Sequence, residues 1–295
     1  MKANYHTHVY RCGHASATEI EMVEQAIQVK LDELGFSCHI PLPHLRLHLL
    51  KSMKYCHNVH SVLSLAKSIV MNGPGMRMTF KEKDEYLKSI EKCQKKYGHE
   101  LKIYKGFEAE YLESYLEYYK KLLKEDVDYL ILGHHFDTYV SYSCSYAIRG
   151  ISQKKIERYV NQAIKAMESG LFLYFAHPDL FLKGYDHWDD FAIEQTKRLL
   201  SAAKKLDVIL EINGAGLRNN PLNFNNEKKQ GYPNLYFWNL AIKNGNKIIL
   251  GLDAHSKDEL SLKEIEKIEN YARNLGAQVI EKIDVEKYRK QLNLD

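Results

Sequence analysis

The feature that most constrains this chain is its alternation of short apolar runs with longer amphipathic stretches. Seven runs read as strands, at residues 3–8, 36–39, 101–111, 128–136, 171–179, 207–214 and 247–255. The intervening spacing predicts helices at 18–34, 80–97, 113–124, 152–169, 189–205, 233–244 and 257–275. The first of these opens on Thr18 with Glu21 three residues later, the spacing of a capping box. Runs such as DYLILGHHF and KIILGLDAH are apolar at nearly every position, which fits parallel strands buried on both faces. Seven such strands in 295 residues predict an α/β fold, a closed or nearly closed barrel, with a doubly wound sheet as the alternative. No repeat or Ser/Gly linker divides the chain, so residues 1–295 read as one domain. Residues 40–79 break the rhythm with three prolines, Gly73-Pro74-Gly75 and four histidines, and read as an irregular excursion or lid.

Charge narrows the function. Lys and Arg number 42 against 38 Asp and Glu, a net +4 too even to argue for nucleic acid or membrane as a partner. A small anionic substrate remains compatible, and oligomeric state is not legible. Cys12, Cys38, Cys56, Cys93 and Cys144 are scattered with no CxxC pair, which suits reduced thiols in a cytoplasm. No segment approaches the roughly 18 apolar residues of a membrane span, and the first residues lack the apolar core of a signal peptide.

The strand ends carry the chemistry. Strand one ends in His6 and His8, with His14 beyond; strand two ends in His39, and strand three in Glu108 and Glu110. The later strands end in His134 and His135, His177 and Asp179, Glu211 and Asn213, and Asp253 and His255. Residues at i and i+2 share a face of a strand, so His6/His8, Glu108/Glu110 and Asp253/His255 can each face one centre. In a barrel the carboxyl ends of the strands converge on one pocket. Imidazoles with carboxylates suit zinc, iron or manganese, and nine candidates around a bridging carboxylate match two or three ions. By contrast His44, His48, His57, His60, His99 and His187 read as ordinary polar residues. The Lys-rich 81–105 stretch reads as a solvated face, and Tyr111, Tyr115, Tyr118 and Tyr119 read as packing.

The motifs YHTHVYRCGHA, GFSCHIP, GFEAEY, GHHF, AHPDLF, EINGAGLR and GLDAHS, in this order over nearly the whole chain, resemble the polymerase-and-histidinol-phosphatase (PHP) family and its histidinol-phosphate phosphatase branch. The resemblance implies a distorted (β/α)7 TIM-like barrel with a trinuclear metal site. His6, His8, Glu108 and Asp253 would hold the first ion, and Glu108 would bridge to a second held by His135 and His177. His14, His39 and His255 would hold the third. The implied cofactors are two to three divalent Zn, Mn or Fe ions. The implied reaction is hydrolysis of L-histidinol phosphate in histidine biosynthesis. Arg218 is a candidate for bidentate phosphate contact, with His134 and Glu110 beside the substrate, while Asp253 or His255 could protonate the leaving alkoxide. Cys38 stands where the family usually has aspartate before the histidine. The rival readings are a PHP phosphoesterase acting on another phosphomonoester or a nucleotide, and a metal-binding regulatory protein weakened in catalysis.

Overall fold

The computed structural model describes residues 1–71, 76–219, 221–224 and 226–292. The first half runs β1 (Ala3–Asn4), α1 (Glu19–Gln28), β2 (Glu33–Phe36), α2 (Leu45–Lys51), α3 (Val59–Val70), α4 (Lys83–Tyr97), β3 (Lys102–Ala109), α5 (Leu116–Glu125) and β4 (Tyr129–Gly133). Then follow α6 (Gln153–Glu168), β5 (Phe175–Ala176), α7 (Phe181–Gly184), α8 (Asp190–Lys205), β6 (Leu210–Asn213) and α9 (Gly214–Arg218). A hairpin of β7 (Leu222–Phe224) and β8 (Glu227–Lys229) precedes α10 (Leu235–Asn244), β9 (Ile248–Gly251), α11 (Leu262–Asn274), β10 (Val279–Ile280) and α12 (Val285–Gln291).

Eight strands form one parallel sheet in the order β1-β2-β3-β4-β5-β6-β9-β10. The sheet curls until β1 meets β9. Just past β1, Thr7 bridges in parallel to Ala254 just past β9. There His8 N donates to Ala254 O at 2.8 Å and Ala254 N donates to His6 O at 3.2 Å. Asn4 ties the same seam: its Nδ2 donates to Thr7 Oγ1 at 2.8 Å, and its Oδ1 accepts from Leu252 N at 2.9 Å. The expected distorted α/β barrel is therefore present, with β10 as an eighth strand pairing the start of β9. That strand and α12 lie in what reads as a charged tail, because a two-residue strand carries no period and α12 is mostly polar.

Boundaries differ where local backbone overrides pattern. The helix expected over 18–34 keeps its Thr18–Glu21 capping box but ends at Gln28. Lys30 turns the chain with φ 61°, and β2 starts at Glu33 instead of residue 36. Residues 40–79 are not irregular throughout, since they carry α2 and α3; the Gly73-Pro74-Gly75 turn lies outside the described residues.

The barrel interior changes character along its axis. Successive inward positions run Tyr104, Gly106, Glu108, Glu110 on β3 and beyond, Tyr129, Ile131, Gly133, His135 on β4, and Ile249, Gly251, Asp253, His255 on β9. The amino-terminal half is a buried cluster that includes Tyr5, Tyr104, Tyr129, Tyr174 and Ile249, with Val285 of α12 against it. Outward positions such as Phe107, Leu130, Leu132, Ile212 and Leu250 join the larger core beneath the helices. Period-two alternation thus puts apolar residues at one end of the bore and ionisable ones at the other.

Candidate metal centre

Glu108, buried with 1% of its surface exposed, stands between two groups of imidazoles. Its Oε1 lies 2.8 Å from His177 Nε2 and 3.3 Å from His135 Nε2. Its Oε2 lies 3.0 Å from His39 Nδ1 and 3.4 Å from both His6 Nε2 and His8 Nε2. Asp253 Oδ1 approaches His6 Nε2 and His8 Nε2 at 3.4 and 3.3 Å. At the rim, His255 stacks on His8 with ring centroids 4.2 Å apart. His14 is exposed, with its ring 4.5 Å from that of His255 and 5.5 Å from that of His39. All nine sequence-predicted metal ligands are therefore brought to one end of the bore.

The donor set fits divalent metal ions. Ligand atoms of His6, His8 and Asp253 lie within 4.8 Å of one another, as do those of His6, Glu108 and His177, of His39, Glu108 and His135, and of His8, His39 and His255. His6 Nε2, His8 Nε2, His39 Nδ1, Asp253 Oδ1 and His255 Nε2 are buried without a hydrogen-bond partner. Orphaned buried polar atoms are costly, and five converging on one place mark a site built for something else to complete. A cradle is also present, because a Cβ on Gly133 would overlap Glu108 Oε1. Burial works to raise the Glu108 carboxyl, but His135, His39 and His6 outweigh it and hold it well below the usual carboxylate range. Asp253 behaves likewise, through His6, His8 and His255. His177 and Asp253 also sit in left-handed backbone, at φ 35° and 50°. That conformation costs a non-glycine residue about 1–2 kcal/mol, and such strain gathers at functional sites.

A second ring orients the first. Glu211, fully buried, takes His6 Nδ1 at 2.9 and 3.1 Å on its two oxygens, fixing the tautomer that leaves Nε2 toward Glu108 and Asp253. The same carboxylate accepts from His177 N at 3.2 Å. Asn213 Nδ2 reaches Glu211 Oε2 at 3.3 Å and Asp253 Oδ2 at 3.2 Å. Cys12 Sγ lies 3.4 Å from His8 Nδ1. Glu211 and Asn213 are legible as polar strand ends, whereas nothing in the local sequence marks Arg77, whose Nη2 donates to Glu110 Oε1 at 2.8 Å.

Three expectations are corrected. Arg218 offers no free fork: Nη1 donates to Leu252 O at 3.0 Å, Nη2 to Asp253 O at 2.8 Å, and Nε faces Glu259 Oε1 at 3.2 Å. It clamps the turn that carries Asp253. His134 is fully buried with its ring 5.0 Å from that of Tyr146 and 4.7 Å from that of Tyr159. It shares the outward parity of Leu130 and Leu132, so it cannot face a substrate. Glu110 is buried and accepts from Arg77 Nη2 at 2.8 Å, with His135 Nδ1 3.7 Å from the same oxygen; it backs His135. Cys38 has outward parity too. Its Sγ accepts from Val9 N at 3.4 Å, and it lies with Cys12 behind His8, the ligand atoms of the three within 4.8 Å of one another.

The constellation at the carboxyl end makes this an α/β barrel built to bind divalent metal. The PHP-domain family model matches residues 4–215, and the chain belongs to that family. A Deinococcus radiodurans protein named "Probable histidinol-phosphatase" is 24% identical over 282 residues, covering 93% of this chain and 94% of that protein. Two solved structures share the fold. HisK from Listeria monocytogenes has a TM-score of 0.65 at 22% identity, over 90% of this chain and 99% of that one. Histidinol phosphate phosphatase HisK from Lactococcus lactis, complexed with zinc, L-histidinol and phosphate, has a TM-score of 0.65 at 17% identity, over 96% of this chain and 98% of that one.

Proposed function

We propose that the chain is a metal-dependent phosphomonoesterase, a histidinol-phosphatase that converts L-histidinol phosphate to L-histidinol and phosphate in histidine biosynthesis. The observation that carries the reading is Glu108 between two imidazole groups, ringed by buried nitrogens and oxygens without partners. The Deinococcus relative and the Lactococcus HisK ligands support the substrate. His6, His8, Glu108 and Asp253 would hold one ion, Glu108, His135 and His177 a second, and His39 and His255 with His14 a third. When bound, divalent Zn, Mn or Fe supplies Lewis acidity that activates water near neutral pH and neutralises charge on the phosphoryl group. The chain's own residues do the rest. Glu211 keeps a proton on His6 Nδ1, and Glu110, balanced by Arg77, backs His135. Asp253 Oδ1 and His255 Nε2, free of hydrogen bonds, present lone pairs for the ions and carry no proton, since the Asp253 carboxyl is held ionised and His255 Nδ1 faces Asp253 O at 3.0 Å. The leaving alkoxide would take its proton from solvent water instead of the expected Asp253 or His255. Five free thiols, four of them buried, support a reducing cytoplasmic setting. No described helix is long and apolar enough to cross a membrane.

The test is phosphate release from a panel of phosphomonoesters and nucleotides with added manganese or zinc. The highest kcat/KM is expected for L-histidinol phosphate. A nucleotide turned over at least as efficiently would replace the substrate, and no release from any ester would overturn the reading.

A further inference from the structure

If Arg218 is engaged with the turn it clamps, a phosphate ester in this site needs another cation from the chain. Arg77 cannot be it, since its side chain has no exposed surface and is paired with Glu110. Lys183, on the short α7 that follows His177, has the required properties. It is half-buried, and its Nζ lies 5.8 Å from the ring centre of Tyr232. The Tyr232 ring in turn meets His177 edge-on, with centroids 6.2 Å apart. The Tyr232 ring therefore neighbours both Lys183 and a predicted metal ligand.

Lys183 is distinguished by what it lacks. Among the described residues it has no carboxylate partner, and burial alone draws its ammonium below the usual lysine range with no acid raising it. Sequestering a cation without a counter-charge is unfavourable, so such a group is stabilised when an anion arrives. Tyr232 has no hydrogen-bond partner for its hydroxyl among the described residues. A phenol hydroxyl is a hydrogen-bond donor at neutral pH, so it is available to an anion. A lysine ammonium is a compact charge on a flexible four-carbon stem, suited to following phosphate oxygens through a reaction.

We propose that Lys183 and Tyr232 form the chain's own phosphate-binding edge, with Lys183 Nζ and the Tyr232 hydroxyl taking the phosphoryl oxygens that the metal ligands do not face. The proposal rests on the phosphomonoesterase reading and gives it the anion contact that Arg218 does not supply.

The experiment compares wild type, Lys183→Met, Lys183→Arg and Tyr232→Phe as zinc-loaded proteins. Calorimetry measures inorganic phosphate affinity, steady-state kinetics measures KM and kcat for L-histidinol phosphate, and elemental analysis measures bound zinc. Lys183→Met should weaken phosphate binding and raise KM by about 10–100-fold, the range for a hydrogen bond to a charged group. Its zinc content should not change. Lys183→Arg should recover most of the loss, and Tyr232→Phe should lose about ten-fold or less. Unchanged phosphate affinity in Lys183→Met overturns the proposal, as does a loss that arginine cannot rescue or that follows zinc content. If wild type binds phosphate through Lys183 yet cleaves no phosphomonoester, the anion edge stands and the enzymatic reading falls.

Discussion

Among the described residues, Glu108 is the one carboxylate whose two oxygens face different imidazole groups, His135 and His177 on one side and His6, His8 and His39 on the other. Glu108→Gln leaves one oxygen and turns the other position into a donor aimed at ring nitrogens, so a shared ligand is lost with little change in volume. Turnover should fall by more than about 100-fold, the upper end of what a supporting residue around a metal typically costs. His187→Ala should stay within about two-fold, because His187 is exposed in a loop and touches Asp186. Comparable modest losses in the two variants would remove Glu108 from the bridge. Much of this was legible in the sequence, because i,i+2 spacing states which side chains share a face. His134 misled because it sits next to His135, and adjacency on a strand means opposite faces. Arg218 misled for another reason: its partners Leu252 and Asp253 lie 34 and 35 positions away, and no local pattern announces them.

Between strand and helix, period and length decided what could be read. The apolar strands betrayed themselves because a parallel strand covered on both faces has no polar position until it leaves the ladder. The excursion over 40–79 was harder, since prolines and histidines obscure the two helices within it. One of those histidines now has a role. His48 on α2 accepts a hydrogen bond from Val140 N at 3.1 Å through Nε2, fastening the excursion to the loop after β4. Burial, with Arg77 nearby, pushes His48 down to about 4, whereas an unfolded histidine titrates near 6.5. Above that value both states are neutral and the contribution is whole. As pH falls from about 6.5 to 4 the unfolded chain takes a proton that the folded chain refuses, and stability is lost, on the order of 2 kcal/mol by pH 5. His48→Gln keeps an acceptor for Val140 but cannot titrate. Urea unfolding at pH 7 and pH 5 should therefore show a smaller acid-induced loss in the variant than in wild type. Equal losses would mean that His48 is already protonated in the fold.

Across the whole molecule, closing the barrel and assembling the site are one event. The seam formed by Asn4, Thr7 and Ala254 lies between His6 and His8 on one edge and Asp253 and His255 on the other. Ligands from the first and last parts of the chain meet only because the sheet curls shut. The result is a cluster of buried carboxylates and imidazoles whose charges, without ions, must be balanced by protons. Burial opposes a proton on His6, yet Asp253, Glu211 and Glu108 raise it well above the usual histidine range. Divalent ions that displace such protons bind the folded barrel and not the open chain, so their binding energy becomes folding energy. Gently purified protein should carry two to three transition-metal ions per chain by elemental analysis. A chelator should abolish phosphatase activity and lower the thermal midpoint together, and added manganese or zinc should restore both. At 100-fold excess of ion over its dissociation constant, the linked stabilisation is about 2.7 kcal/mol per site. A metal-free preparation that still turned over substrate would refute the metal dependence outright. If activity were lost with no change in midpoint, the ions would be bound at a place that the barrel does not close.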